Sequence, residues 1–171
     1  MVTIRNERTT DLPAIRAVNT AAFDRPQEAD LVDALRCNCA DLLSLVALVE
    51  NDLVGHVLFS PVIVAGEGGS QSGMGLGPLA VHLDYQNQGI GSRLVRRGLR
   101  LLERGGCSYV VVLGHPGYYP RFGFELASRY GVTSQWTGIP DEAFMLLLFD
   151  RSLAGGLAGV CYFRDEFNEA E

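Results

Sequence analysis

Leu76-Gly77-Pro78-Leu79-Ala80-Val81, followed after a short spacer by Gln86-Asn87-Gln88-Gly89-Ile90-Gly91, is the stretch on which the reading of this chain turns. The first run is apolar and strand-like, and the second is a glycine loop. Beyond it Ile90, Leu94, Val95, Leu101 and Leu102 form one apolar stripe, while Arg93, Arg96, Arg97, Arg100 and Arg104 fill much of the remainder, as in an amphipathic helix. A strand therefore feeds a short loop that opens a helix. Glycines there let backbone N–H groups approach a ligand with no Cβ in the way, and the helix N-terminus adds about half a positive charge at the same point. The combination predicts an anion cradle, best suited to phosphates.

Outward from the cradle, helix and strand signals alternate without repeats or long linkers. Gly105-Gly106 ends the helix, and Tyr109-Val110-Val111-Val112-Leu113 is a strand of the kind buried on both faces in a parallel crossover. Upstream, Val2-Thr3-Ile4 is a first strand, with Thr10 or Asp11 as N-cap and Pro13 in the first turn of a helix whose buried face carries Ile15, Val18, Ala22 and Phe23. Leu31, Val32 and Leu35 mark a second helix behind Glu28 and Asp30. Leu43 to Glu50 and Leu53 to Val64 read as antiparallel strands about a turn at Asn51-Asp52, and the Gly- and Ser-rich Ala65 to Gly75 reads as a loop. Gly123-Phe124-Glu125-Leu126 and Ala143 to Phe149 supply the last strands around a loop at Gln135 to Pro140; the tail beyond Leu153 adds a strand or packs on the edge. The expected fold is a single α/β domain over residues 1–171.

Composition narrows the classes of partner. With 47% hydrophobic and 20% charged residues, the 171-residue chain is an ordinary globular one. Its size buries roughly 70% of the unfolded surface without staples. Cys37, Cys39, Cys107 and Cys161 match neither a zinc pattern nor a disulfide framework, and no metal site is expected. No apolar signal core or membrane-length run is present, so no membrane association and a cytoplasmic location are expected. Every one of the 14 basic residues is Arg, and a net charge of −6 disfavours nucleic acid. An acidic field suits a cationic amine, although solubility explains it equally well.

Two other glycine-turn families are excluded. A dinucleotide fingerprint needs a small residue at Leu94 and an acid near Tyr109, and a P-loop needs a lysine, which the chain lacks. Gln-X-X-Gly-X-Gly opening a helix after Leu-Ala-Val resembles the acetyl-CoA loop of the GNAT superfamily of N-acetyltransferases. Downstream, Tyr118-Tyr119-Pro120-Arg121-Phe122-Gly123-Phe124 resembles that family's aromatic-Tyr-X-X-X-Gly-Phe segment. The short Gly114-His115-Pro116-Gly117-Tyr118 lacks the common Asn-X-X-Ala element and is similar to one bacterial branch of the superfamily.

The resemblance implies a mixed, mostly antiparallel sheet of about six to seven strands, flanked by helices, around a central strand-loop-helix-strand unit for acyl-CoA. It implies that Gln86, Asn87, Gln88, Gly89, Ile90, Gly91 and Ser92 hold the CoA pyrophosphate, and that Leu79, Ala80 and Val81 offer their backbone to the pantetheine arm. It assigns Tyr119 as general acid to the departing thiolate. From spacing alone Tyr119 reads first as a core aromatic beside Tyr118 and Phe122, and it is the resemblance that makes it the acid. The implied reaction is acetyl transfer from acetyl-CoA to a primary amine, either a small molecule or a protein amino group; a second copy of the chain as homodimer partner is compatible with it. A different class of reading is a non-catalytic acyl-CoA sensor. His115 is the best titratable candidate for a base, with a water chain as its alternative; His82 reads as an exposed turn residue and His56 as a structural one.

Overall fold

A computed structural model describes residues Met1–Glu169. By internal packing it divides into two compact units, one of Met1–Ser60, Gly77–Arg100 and the segment from Asp165, the other of Pro61–Leu76 and Leu101–Arg164.

In the first unit β1 (Val2–Asn6) pairs antiparallel with β2 (Leu43–Val49), and β2 with the first half of β3 (Asp52–Gly66). The hairpin turns at Glu50-Asn51, where Glu50 takes a φ of 58°. Helices α1 (Leu12–Phe23) and α2 (Gln27–Asn38) follow β1 in the chain. Ile15, Leu31, Val32 and Leu35 from these helices bury against Val46 and Leu58. Pro13 opens α1 where its missing N–H is harmless. Asp11 does not cap α1 by its side chain; it accepts from the Arg8 N–H at 2.7 Å and pairs with Arg5 at 2.7 Å. Phe23, expected on the buried face, is exposed at the last position of the helix. Helix α3 (Ile90–Arg104) runs on to the Gly105-Gly106 stop. Its start lies close on β3 because Gly55 offers no side chain: a Cβ there would meet Leu94 Cδ1 at 3.0 Å and Ile90 Cγ2 at 3.3 Å. Gly98 does the same further along, under the buried ring of Phe59.

In the second unit the Gly69–Leu76 part of β4 (Gly69–Val81) pairs in parallel with β5 (Tyr109–Leu113) over Met74 to Leu76. β5 then pairs antiparallel with β8 (Phe144–Leu148), and β8 with the two-residue β6 (Glu125–Leu126). β7 (Val132–Ser134) pairs in parallel with β9 (Gly159–Tyr162), which returns antiparallel to β3. Among the described residues the strands form an open, mostly antiparallel sheet of nine, hydrogen-bonded in the order β1-β2-β3-β4-β5-β8-β6, with β9 pairing β3 and β7 pairing β9.

Two expectations need correction. Among the described residues the sheet has nine strands rather than about six to seven; the three-residue β7, which exists by pairing with β9, is the strand that no expectation covered. Ala65 to Gly75 is not a loop: β3 runs to Gly66 and β4 starts at Gly69. Two of its glycines, Gly73 and Gly75, are strand residues packed against aromatic rings. The Tyr109 ring occupies the space of a side chain at Gly73, and Phe163 and Val62 crowd Gly75. The Tyr109 hydroxyl, donating to the Gln71 carbonyl at 2.7 Å and accepting from the Val64 N–H at 3.1 Å, ties both strands of that hairpin.

Candidate active site

The end of β4 is fixed by one bond, from the His82 N–H to the Val54 carbonyl on β3 at 2.8 Å. Successive residues of a strand direct their N–H and C=O groups to alternate edges. Val81 therefore directs both of its groups to the edge away from β3. Ala80 is buried, while Leu79 and Val81 are half-buried.

A single 3-10 turn, Leu83–Tyr85, then carries the chain to the loop. His82 closes this turn, accepting from the Asp84 N–H at Nδ1 (3.2 Å) and from the Tyr85 N–H at its carbonyl (2.8 Å). It is a turn residue, as its sequence position suggests. Asn87 and Gly89 take φ values of 63° and 83°, the left-handed region that Gly enters freely and Asn tolerates best among other residues. Two such residues within three positions carry the chain into the start of α3. The Gly89 carbonyl accepts from the Arg93 N–H at 3.1 Å, which sets Gly89 as the helix cap. No protein atom lies within 4 Å of where a Cβ on Gly89 would stand, so the cradle is open on that side. Gln86, Asn87, Gln88 and Gly89 are exposed, Gly91 and Ser92 half-buried, and Ile90 is buried as the anchor beneath the loop. The cradle and its donor strand thus come together within one unit. A strand-embedded glycine at Gly55, a mark of close backbone approach, is the signal for the support beneath α3 that sequence reasoning passed over.

Arg93, on the first turn of α3, donates to the Val2 carbonyl at 3.2 Å and so tethers the helix start to β1. His56 is fully buried. It contacts Asn19 Nδ2 at 3.1 Å through Nδ1 and Ser44 Oγ at 2.9 Å through Nε2. Because Asn19 Nδ2 also donates to the Ile15 carbonyl at 3.0 Å, that nitrogen is a donor toward His56, which leaves the imidazole proton on Nε2, facing Ser44. That tautomer cannot take a proton from Ser44, so Ser44, His56 and Asn19 are not a nucleophilic triad.

Tyr119 belongs to the second unit, at the head of a 3-10 turn, Tyr119–Phe122, with Pro120 behind it. Its ring is buried, edge-on to Tyr118 at 5.1 Å and to Phe124 at 5.8 Å. It lies over Gly114, where any Cβ would overlap it. Burial and the neighbouring Tyr118 push its phenol above the usual tyrosine value, so it holds its proton throughout the neutral range. His115 is exposed, and its carbonyl accepts from the Tyr118 and Tyr119 N–H groups at 3.1 and 3.4 Å, starting the turn that carries Tyr119. Among the described residues no group of three or more His, Cys, Asp or Glu is placed to hold a metal, and no helix is long and apolar enough to cross a membrane.

An open mixed sheet, in which a central strand passes through a glycine loop into a helix and on to a parallel strand, is the arrangement that the resemblance to acyl-CoA-dependent transferases implies. The chain belongs to the acetyltransferase (GNAT) family, whose sequence pattern matches residues 12–124. It is 38% identical over 166 residues to the uncharacterized N-acetyltransferase YhbS of Escherichia coli strain K12, covering 96% of this chain and 98% of that protein. The crystal structure of YhbS from Escherichia coli, in complex with CoA, superposes with a TM-score of 0.89 at 36% identity, covering 98% of this chain and 92% of that one. A GNAT family acetyltransferase from Brucella melitensis, solved with acetyl-CoA, gives a TM-score of 0.80 at 35% identity over 98% of both chains. The chain is accordingly an acetyltransferase, and the sensor reading is not favoured.

Proposed function

We propose that residues 1–171 act as one N-acetyltransferase domain that moves the acetyl group of acetyl-CoA to a primary amine by direct attack. The observation that carries this reading is the loop: two left-handed residues, Asn87 and Gly89, with open space beside Gly89 at the start of α3. Pyrophosphate oxygens there would meet N–H donors and the positive end of a helix together. Gln86, Asn87, Gln88, Gly89, Ile90, Gly91 and Ser92 hold the diphosphate in this proposal, and Leu79, Ala80 and Val81 the pantetheine arm.

The neutral amine attacks the thioester carbonyl carbon, and the carbonyl oxygen becomes an oxyanion. The Val81 N–H, fixed by the strand and needing no reorganisation, is the dipole assigned to that developing charge. Collapse of the tetrahedral species breaks the carbon–sulfur bond, and Tyr119 gives its proton to the departing sulfur. A thiolate is already a fair leaving group, so the gain from Tyr119 belongs near the low end of the ~10²–10⁴ typical of general acids. The amine's own proton leaves to water or to the exposed His115.

Thiol release from acetyl-CoA, measured against a panel of small primary amines and peptide N-termini, tests the proposal. Release that depends on the amine is expected; CoA binding without amine-dependent release overturns it. The chain has no lysine, so any acetyl-lysine detected with a protein acceptor comes from that acceptor.

A further inference from the structure

Beside the start of β1 the first unit holds a cavity of about 810 Å³ that shares no residue with the phosphate loop. Its floor is one face of three strands. Thr3 pairs with Leu48 and Leu48 with Leu53, so these side chains stand on the same side of the sheet, with Ala14 of α1 beside them. Charge enters this floor from two ends. The connection from β1 to α1 brings Arg5 and Arg8, and the turn from β2 to β3 brings Glu50 and Asp52. Arg5 is already committed, since both of its Nη groups donate to the Asp11 carboxylate at 2.7 and 3.0 Å. Arg8, Glu50 and Asp52 are exposed and form no ion pair among the described residues.

The register sets the span. Val2 pairs with Val49 beside the turn, and Arg5 lies three residues further along β1, about 10 Å away. The turn also keeps its carboxylate against backbone preference: Glu50 has a φ of 58°, where Gly or Asn is the easier residue. We propose that this cavity binds a short peptide with free termini, its carboxylate held at Arg8 and its ammonium at Glu50 and Asp52. An anion entering alone meets the two acids, and a cation entering alone meets Arg8; a molecule with both charges pairs each of them. A single amino acid spans only about 3.5 Å, whereas two or three residues reach across the floor. The volume falls within the ~300–1,000 Å³ of ordinary ligand pockets, and Leu48, Leu53 and Ala14 offer apolar contact to small side chains.

Trialanine, added without CoA, is the probe. It is expected to shift the backbone amide resonances of Arg8, Asn51 and Asp52 saturably. N-acetyl-trialanine and trialanine amide each lack one charge and should bind at least about tenfold more weakly. Two variants assign the ends. Arg8→Gln should lose the preference for trialanine over its amide and keep the preference over the N-acetyl form; Glu50→Gly combined with Asp52→Asn should do the reverse. Glu50→Gly alone should leave the melting temperature unchanged or raised, because Gly is at ease at that backbone angle. A lowered melting temperature would give Glu50 a structural role instead and overturn its assignment to the ligand. Absence of a saturable shift, equal binding of the blocked peptides, or shifts confined to residues 79–92 overturns the proposal. No acetyl transfer enters these readouts, so they decide this site whatever the outcome of the thiol-release assay.

Discussion

At the residue scale, Tyr119 owes its position to the absence of a side chain. The ring lies across Gly114 at the end of β5, and Tyr118 and Phe124 meet it edge-on at centroid distances of 5.1 and 5.8 Å. Edge-to-face packing fixes the ring plane, and the Gly114 backbone fixes how deep it sits. Tyr119→Phe keeps all of this and removes only the hydroxyl; with that phenol as the acid proposed above, kcat should fall by roughly tenfold to a hundredfold while CoA affinity by calorimetry holds. Gly114→Ala displaces the ring and should lower kcat too. If Gly114 acts through the phenol, the second substitution adds little in the Tyr119→Phe background. Equal losses in both backgrounds would make Gly114 a structural residue only, and unchanged turnover in Tyr119→Phe would remove Tyr119 from the chemistry.

At the scale of the element, the start of α3 is set by backbone angle and by close approach to β3. Gly89 has a φ of 83° and open space beside it. Gly89→Val puts a β-branched residue in a region it scarcely enters and a side chain into the open face of the cradle. CoA binding by calorimetry should weaken at least about a hundredfold, equivalent to roughly 3 kcal/mol; undiminished affinity would refute the cradle. Gly98 works through packing. A methyl there overlaps the Phe59 ring, and overpacking of this kind costs about 1–3 kcal/mol, more than the ~1 kcal/mol that Ala gains over Gly in a helix. Gly98→Ala should therefore lower the melting temperature, and Phe59→Leu in the same chain should recover part of the loss; an unchanged or raised melting temperature in the single variant would contradict the contact.

These two glycines also mark what the sequence makes legible. The strand, loop and helix start are readable because their demands are local: residues tolerant of positive φ, a helix start and an apolar strand, all adjacent in the chain. Gly73 and Gly75 mislead for the opposite reason, since the rings that require them, Tyr109 and Phe163, lie far along the sequence. Taken locally, Gly- and Ser-rich residues mean a loop; only Tyr109, bonded to Gln71 and Val64, turns them into paired strands. β7 escapes notice because three residues carry too little pattern without β9 beside them. Tyr119 was legible as a motif residue, but its support by Gly114 was not.

At the scale of the whole molecule, acid sensitivity follows from a polar line that runs from buried Asn19, His56 and Ser44 to the half-buried Glu7 carboxylate and Arg36. Burial of His56 pushes its pKa down to about 4; Glu7 works against that shift and Arg36 with it. Burial alone would raise Glu7, but its bonds to Arg36 and Ser44 reverse that and hold it below the usual carboxylate value. Asp11 is lowered too, chiefly by its bond to Arg5. The signs agree. Unfolded His56 takes up a proton near its ordinary value of 6.5, whereas folded His56 stays neutral until about pH 4, so its contribution is complete above 6.5 and lost as pH falls toward 4. The two carboxylates contribute above their ordinary values and lose that contribution as pH falls through their lowered ones. Stability in urea should therefore decline from pH 7 downward, with the His56 share amounting to about 3 kcal/mol by pH 4. His56→Gln keeps a donor toward Ser44 and removes the titration. It should be less stable than the wild type at pH 7 yet lose less between pH 6.5 and 4.5. Parallel curves for the two proteins across that interval would show that the buried imidazole does not set the acid limit of the fold.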